Sequence, residues 1–293
     1  MNKLISYPHI KNFSLIKPKK SDQKPFIITS AHSGQKTTKY INNKINSNPK
    51  NYHSMEDMYV NDLAVCLEGS GYTILKSNVS RLVIDLNRSE LEIDSSQILN
   101  IPKNSNFDLT DKVKSGIGLV PSRNAAGEEI YKEKITWKEL KYRINNYYRP
   151  WHLILKKEIN MLVKRFGWVV VLDIHSMPSN YNNSNLVDFV IGNDFNKSSP
   201  HSIIKILSEI INKNNFKFSF NDPYSGGYIT KSHSNINRKI YCIQLEMNKS
   251  LYMDENKFIK NKNFKVFSSE LRRIIEDFFN QIEFDKNKKI AAE

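Results

Sequence analysis

Apolar positions along this chain switch between two periods, and the switches predict the order of elements. Phe26–Thr29 in KPFIITSAHSG (24–34) is a short apolar run that enters a turn at Gly34, the pattern of a buried strand. Met55, Tyr59, Leu63 and Cys66 then recur at helical spacing until Gly69 and Gly71 end the stretch. YTILKS and RLVIDLNR (81–88) read as strands. The longest helical pattern covers 136–166: Thr136 and Glu139 have capping-box spacing, Gly167 closes the far end, and Pro150 is expected to kink or divide the helix. WVVVLDIH and LVDFVIG (186–192) follow as buried strands. Pro200 opens a helix over 201–214, FKFSF and KIYCIQLEM (239–247) are further strands, and 266–282 form a closing amphipathic helix.

Strands that alternate with helices, several of them apolar on both faces, predict an α/β fold: a mixed, mostly parallel sheet with helices on both sides. Residues 1–23 are polar and are expected as a lead-in, with 24–293 forming one domain. Residues 35–54 are rich in asparagine and lysine and are expected as a long loop, a feature often tied to function.

Composition narrows the classes. At 39% hydrophobic residues the chain can build a core, yet no run approaches the roughly 18 apolar residues of a membrane helix. The first twenty residues lack an apolar stretch long enough for a signal peptide, and Cys66 and Cys242 are too few and too far apart for a disulfide framework. A cytoplasmic protein is expected. The formal net charge of +14 suggests nucleic acid, but lysine and asparagine are spread along the whole chain with no interleaved aromatic recognition motif. The charge is read instead as compositional bias that also favours a small anionic substrate.

The chemistry collects where predicted strands end, which is where open α/β sheets bind their ligands. The first strand delivers His32. The strand ending near 86 delivers Asp85, Asn87 and Arg88, WVVVLDIH delivers Asp173 and His175, and KIYCIQLEM delivers Glu246. Singly, each has a structural explanation, such as a capped turn or a surface ion pair. Together they offer two imidazoles with carboxylates, the donor set of a catalytic zinc. An arginine adds a fork suited to a carboxylate.

HSG (32–34), ED followed by YV (56–60), SRLVIDLNRSELEID (80–94), GIGLVP (116–121), IY (130–131), YYRPWH (147–152), LDIHSMPS (172–179), VDFVIGND (187–194), NDPYSGGYIT (221–230) and QLEMNKSLYMDE (244–255) resemble the N-formylglutamate amidohydrolase family, in the family's order. The resemblance implies a zinc-carboxypeptidase-like (phosphorylase/hydrolase-like) architecture. It implies hydrolysis of N-formyl-L-glutamate to formate and L-glutamate, a late step in one route of histidine breakdown. His32 and His175 are implied as metal ligands, with a carboxylate ligand from the Glu56–Asp57 pair. Asp57 is favoured and Glu56 is the alternative; neighbouring positions on a helix point about 100° apart, so only one of them readily faces the metal. Glu246 is implied as the general base and Arg88 as the grip on a substrate carboxylate. Asn87, Arg143 and Tyr228 are further substrate-binding candidates, and Asp173 supports the site from behind. Gln35 stands where the carboxypeptidases have a ligating glutamate three residues after the first histidine, so the third ligand must come from farther along. Iron or cobalt suits the same ligands as zinc. Two other readings remain open: a metallohydrolase acting on another N-acyl acidic amino acid or small acidic peptide, and a non-catalytic anion-binding protein on the same fold.

Overall fold

In the computed structural model, residues 12–46, 53–124, 126–179 and 187–290 are described. The first eleven residues of the lead-in, positions 47–52 of the expected long loop and Leu186 of the expected strand fall outside them. Among the described residues, seven strands form the main sheet: β1 Phe13–Ile16, β2 Phe26–Ser30, β3 Thr73–Ser77, β4 Val169–Met177, β5 Phe189–Gly192, β6 Phe218–Phe220 and β7 Ile240–Asn248. Their order is β1-β3-β2-β4-β7-β5-β6. β2 is parallel to β3 and β4, β4 to β7, and β5 to β6, while β5 runs antiparallel to β7. The helices that flank this mixed, mostly parallel sheet include α1 Lys39–Lys44, α2 Val60–Val65, α3 Trp137–Arg143, α4 Arg149–Phe166, α5 His201–Lys213, α6 Tyr228–His233 and α7 Phe264–Ile290.

The chain divides into two compact units. One comprises 1–14, 31–56 and 77–154; the other comprises 15–30, 57–76 and 155–293. The second holds most of the sheet, and alternation along its strands sorts side chains by chemistry. Val170, Leu172 and Ile174 of β4, with Tyr241, Ile243 and Leu245 of β7, join one apolar cluster with residues of α2, α5 and α7. The intervening positions, Asp173 and His175 with Gln244 and Glu246, therefore share the opposite face, and register pairs Asp173 with Gln244 and His175 with Glu246. A central strand can carry these titratable groups because only alternate positions are needed for the core.

In the first unit several sequence expectations need correction. Residues 81–88 form turns rather than a strand. Leu82, Val83, Ile84 and Leu86 are all buried there, so the apolar run is real, but Asp85 Oδ1 accepts the Asn87 amide (2.8 Å) and bends the chain. Residues 39–44, expected within a loop, are α1, capped by Thr38. The capping box at Thr136 is half formed. Its hydroxyl accepts the Glu139 amide, while the Glu139 carboxylate turns to Lys44 and Arg143. The expected helix over 136–166 divides into α3, a wider π-type turn at Ile144–Tyr148, and α4. Pro150 has no N–H for the Asn146 carbonyl, which accepts the Asn12 side-chain amide instead (2.8 Å).

In the second unit, the helix expected from Met55 begins only at Val60, because Tyr59 adopts a left-handed conformation (φ 66°). Glu56 and Asp57 consequently lie outside a helix, and the 100° argument for choosing between them does not apply. Within the stretch read as a polar lead-in, Phe13–Ile16 forms the strand β1.

Candidate active site

The second unit presents a polar array on the face of β4 and β7 opposite the apolar cluster. His175 is 2% exposed and lies between two carboxylates: Nδ1 is 2.9 Å from Asp57 Oδ2, and Nε2 is 2.7 Å from Asp173 Oδ2. Asp173 is fixed in turn by the Thr29 hydroxyl, which donates to its Oδ1 at 2.6 Å from the neighbouring strand β2. Asp57 also accepts from the Ser176 hydroxyl at 3.3 Å. Burial opposes a charge on His175, but Asp173, Asp57 and Glu246 together hold its protonated form well above the ordinary histidine range. The carboxylates thus create a field that favours positive charge at this spot.

That geometry bears directly on a metal. A neutral imidazole donates through one nitrogen only. With Asp173 taking the Nε2 proton, Nδ1 and the Asp57 carboxylate face each other as two acceptors. A cation between them satisfies both, and a carboxylate behind the distal nitrogen is the usual support of a metal-ligating histidine. The donor chemistry therefore fits a metal ion.

Glu246 is 6% exposed and beside His175 in register. The Gln244 side-chain amide donates to Glu246 Oε1 at 2.8 Å, and Gln244 Oε1 accepts the Gly227 amide at 2.7 Å. Gly227 belongs to NDPYSGGYIT, and Tyr228 opens the short α6 that follows. Gly192, opposite Gln244 in β5, has no room for a Cβ, which would lie 2.8 Å from the Tyr224 carbonyl oxygen and the Ser225 carbonyl carbon. The loop is thus seated on the sheet at a glycine.

The first unit repeats the carboxylate-backed histidine. His32, two residues beyond β2, is buried, and its Nε2 lies 2.6 Å from Asp85 Oδ1. Arg81 donates to Asp85 Oδ2 at 2.6 Å. Asp85 is fully buried; burial works against its charge, but Arg81, His32 and Arg88 hold its carboxyl well below the usual range. An ionised Asp85 favours the His32 tautomer that carries its proton on Nε2. Gly34 has a close-packing reason, since a Cβ there would lie 2.4 Å from the Val79 carbonyl oxygen.

Glu56 accepts the Ser80 hydroxyl (2.5 Å) and lies 3.0 Å from His53 Nδ1, whereas its neighbour Asp57 faces His175. Arg88 is 8% exposed. It donates to the Ile117 and Asn87 carbonyls, and among the described residues it forms no ion pair. Its peptide carbonyl accepts the Tyr148 hydroxyl (2.7 Å). Asn87 is buried beside it and holds Asp85 through its backbone amide. Arg143 is committed elsewhere: its guanidinium pairs with Glu139 and donates to the Val83 carbonyl (2.9 Å) and the Tyr131 hydroxyl (2.8 Å). Its charge is thus paired with Glu139 inside the first unit.

Sequence reasoning does not single out Gln244 or Arg81. Gln244 has a usable signal, standing two positions before Glu246 on a strand and so on the same face. Arg81 has none, because the segment that carries it is not a strand.

Residues 24–253 match the family model described as N-formylglutamate amidohydrolase. An N-formylglutamate deformylase of Pseudomonas putida is 24% identical over 238 residues, which are 79% of this chain and 82% of that protein. The crystal structure of N-formylglutamate amidohydrolase from Ralstonia eutropha JMP134 superposes with a TM-score of 0.88 at 26% identity, covering 94% of this chain and 100% of that one. A gene product of Agrobacterium tumefaciens shares the fold at TM-score 0.62 and 18% identity, over 93% and 96% of the two chains.

Proposed function

This chain belongs to the N-formylglutamate amidohydrolase family, and we propose that it hydrolyses the amide of N-formyl-L-glutamate, releasing formate and L-glutamate. The observation that carries the reading is His175, set between Asp57 and Asp173 with Glu246 alongside on the same face. The metal is assigned to His32, Asp57 and His175, each of them buried. Zinc is the metal assigned, since two imidazoles and one carboxylate leave a position open for reaction. Zinc, when bound, polarises a carbonyl and brings the pKa of water toward ~7.

The chain's own residues do the rest. Asp85 and Asp173 fix the tautomers of His32 and His175, so both imidazoles present Nδ1. Glu246 takes a proton from the attacking water and delivers it to the departing amine as the C–N bond breaks and the new C–O bond forms. Arg88 grips a substrate carboxylate. Burial disfavours its charge, which Asp85 and Glu92 offset in part, and its side chain donates to main-chain carbonyls rather than to a carboxylate, which suits it to receive the carboxylate of a substrate. Asn87 and Tyr228 frame the substrate, and Arg143 is left as scaffold.

The direct test is formate release from N-formyl-L-glutamate by purified protein, before chelation, after it, and after zinc is restored. Activity lost and regained is expected. A protein that retains one zinc per chain but releases no formate would discard the substrate. Arg88→Ala is expected to raise KM for N-formyl-L-glutamate about 10- to 100-fold, the worth of a charge-assisted hydrogen bond. An uncharged formyl amide should be affected far less. Equal effects on both substrates would remove Arg88 from the carboxylate pocket.

A further inference from the structure

We propose that Gln244 is a positioning residue that fixes the Glu246 carboxylate and ties it to the Tyr224–Gly227 loop. The inference rests on the reading of Glu246 as general base and deepens it. A backbone N–H can only donate, so the Gly227 amide, 2.7 Å away, determines which end of the Gln244 side chain is oxygen. The other end is then the NH₂ group, which donates to Glu246 Oε1 at 2.8 Å. An NH₂ hydrogen also excludes a second proton at that contact. Glu246 Oε1 is therefore held as an acceptor, which favours Oε2 for a proton taken up during reaction.

Both side chains are nearly sealed from solvent, Gln244 at 5% and Glu246 at 6% exposure, so a competing water is a weak substitute for either bond. The loop end of the link is equally fixed. The main chain at Tyr224–Ser225 rests on Gly192, the register partner of Gln244, and the Ser225 carbonyl accepts the Asp194 amide at 2.7 Å. The glutamine thus reports the seating of the loop to the base: a displaced Gly227 frees the amide to rotate, and Glu246 loses the Gln244 hydrogen bond. Such a residue acts on the reacting geometry through Glu246 and makes no demand on substrate affinity.

Two replacements separate this role from a packing role. Gln244→Met fills the space and removes both bonds. Gln244→Glu keeps the acceptor for Gly227 but turns a carboxylate oxygen toward Glu246, where the pair shares a proton and withdraws the base. Positioning predicts that kcat falls about 10- to 100-fold in both variants, the cost of a misplaced catalytic group. KM and bound metal should stay close to wild type, and Glu should be at least as damaging as Met. A packing role predicts instead that kcat stays near wild type in the Met variant, which fills the same space.

Steady-state kinetics and metal content are measured for both variants beside Glu246→Gln. If Glu246→Gln loses turnover while a folded Gln244 variant keeps it, the positioning role is overturned and the base survives. If Glu246→Gln itself keeps turnover, the base assignment fails and this inference falls with it. Should Gln244→Met not fold, Gln244→Glu decides alone: wild-type kcat overturns the proposal, and a selective loss of kcat supports it.

Discussion

Replacement of His175 by alanine is expected to abolish both metal retention and formate release. Two effects act together. The variant loses the imidazole assigned as ligand, and it leaves Asp57 and Asp173, 4% and 0% exposed, facing a space with no donor between them. Uncompensated buried charge of this kind costs about 3–5 kcal/mol, enough to threaten the fold as well as the site. His175→Asn is therefore the sharper variant. Its amide can still donate toward Asp173, which limits the destabilisation, while an amide is a poor replacement for a metal-ligating imidazole nitrogen. The expected outcome is a folded Asn variant without stoichiometric metal and without turnover. Bound metal is measured after gel filtration and folding by thermal melting. A folded variant with wild-type zinc and activity would remove His175 from the ligand set.

The Asp57 side of the same contact shows what sequence can and cannot reveal. Burial of β4 is legible because Val169–Leu172 is apolar at every position, and its polar face is legible because Asp173 and His175 interrupt that run two residues apart, although the strand runs on to Met177. Period two on a strand places both on one face, so the Asp173–His175 pair follows from pattern alone. That only one of Glu56 and Asp57 can face a given spot is expected from helix geometry that the left-handed Tyr59 removes; in the fold each acid instead has its own partner. Residues 81–88 read as a strand because an apolar run buried in irregular chain has the same composition as one buried in a sheet. The pattern is right about their burial and wrong about their conformation. Arg143 shows another limit. Glu139, which neutralises it, and Tyr131, which accepts from it, lie nearby in sequence, but Lys44 is 95 residues from the Glu139 it shares, and only the tertiary structure reveals that these groups engage one another. Likewise, the pairing of His32 with Asp85 crosses 53 residues and leaves no periodic trace.

Glu246→Gln is expected to retain metal and fold while losing about 10²- to 10⁴-fold in kcat, the usual contribution of a general base. The substitution is nearly isosteric, so packing against β4 and β5 is conserved, and Glu246 is not among the residues assigned to the metal. What changes is proton affinity, since an amide cannot take a proton from water near neutral pH. The neighbouring hydrogen bond also matters. Gln244 NH₂ donates to Glu246 Oε1, and the new amide can accept that bond through its own oxygen, which turns its NH₂ group to the Oε2 position. The variant therefore places a donor where the wild-type carboxylate accepts a proton, and it should be inactive without being disordered. KM is expected to change little, because the lost interaction develops in the transition state rather than in the bound ground state. Metal content, thermal melting and the separate values of kcat and KM decide the matter. Loss of metal in this variant would make Glu246 a ligand rather than a base, and unimpaired turnover with metal in place would put the base on another residue.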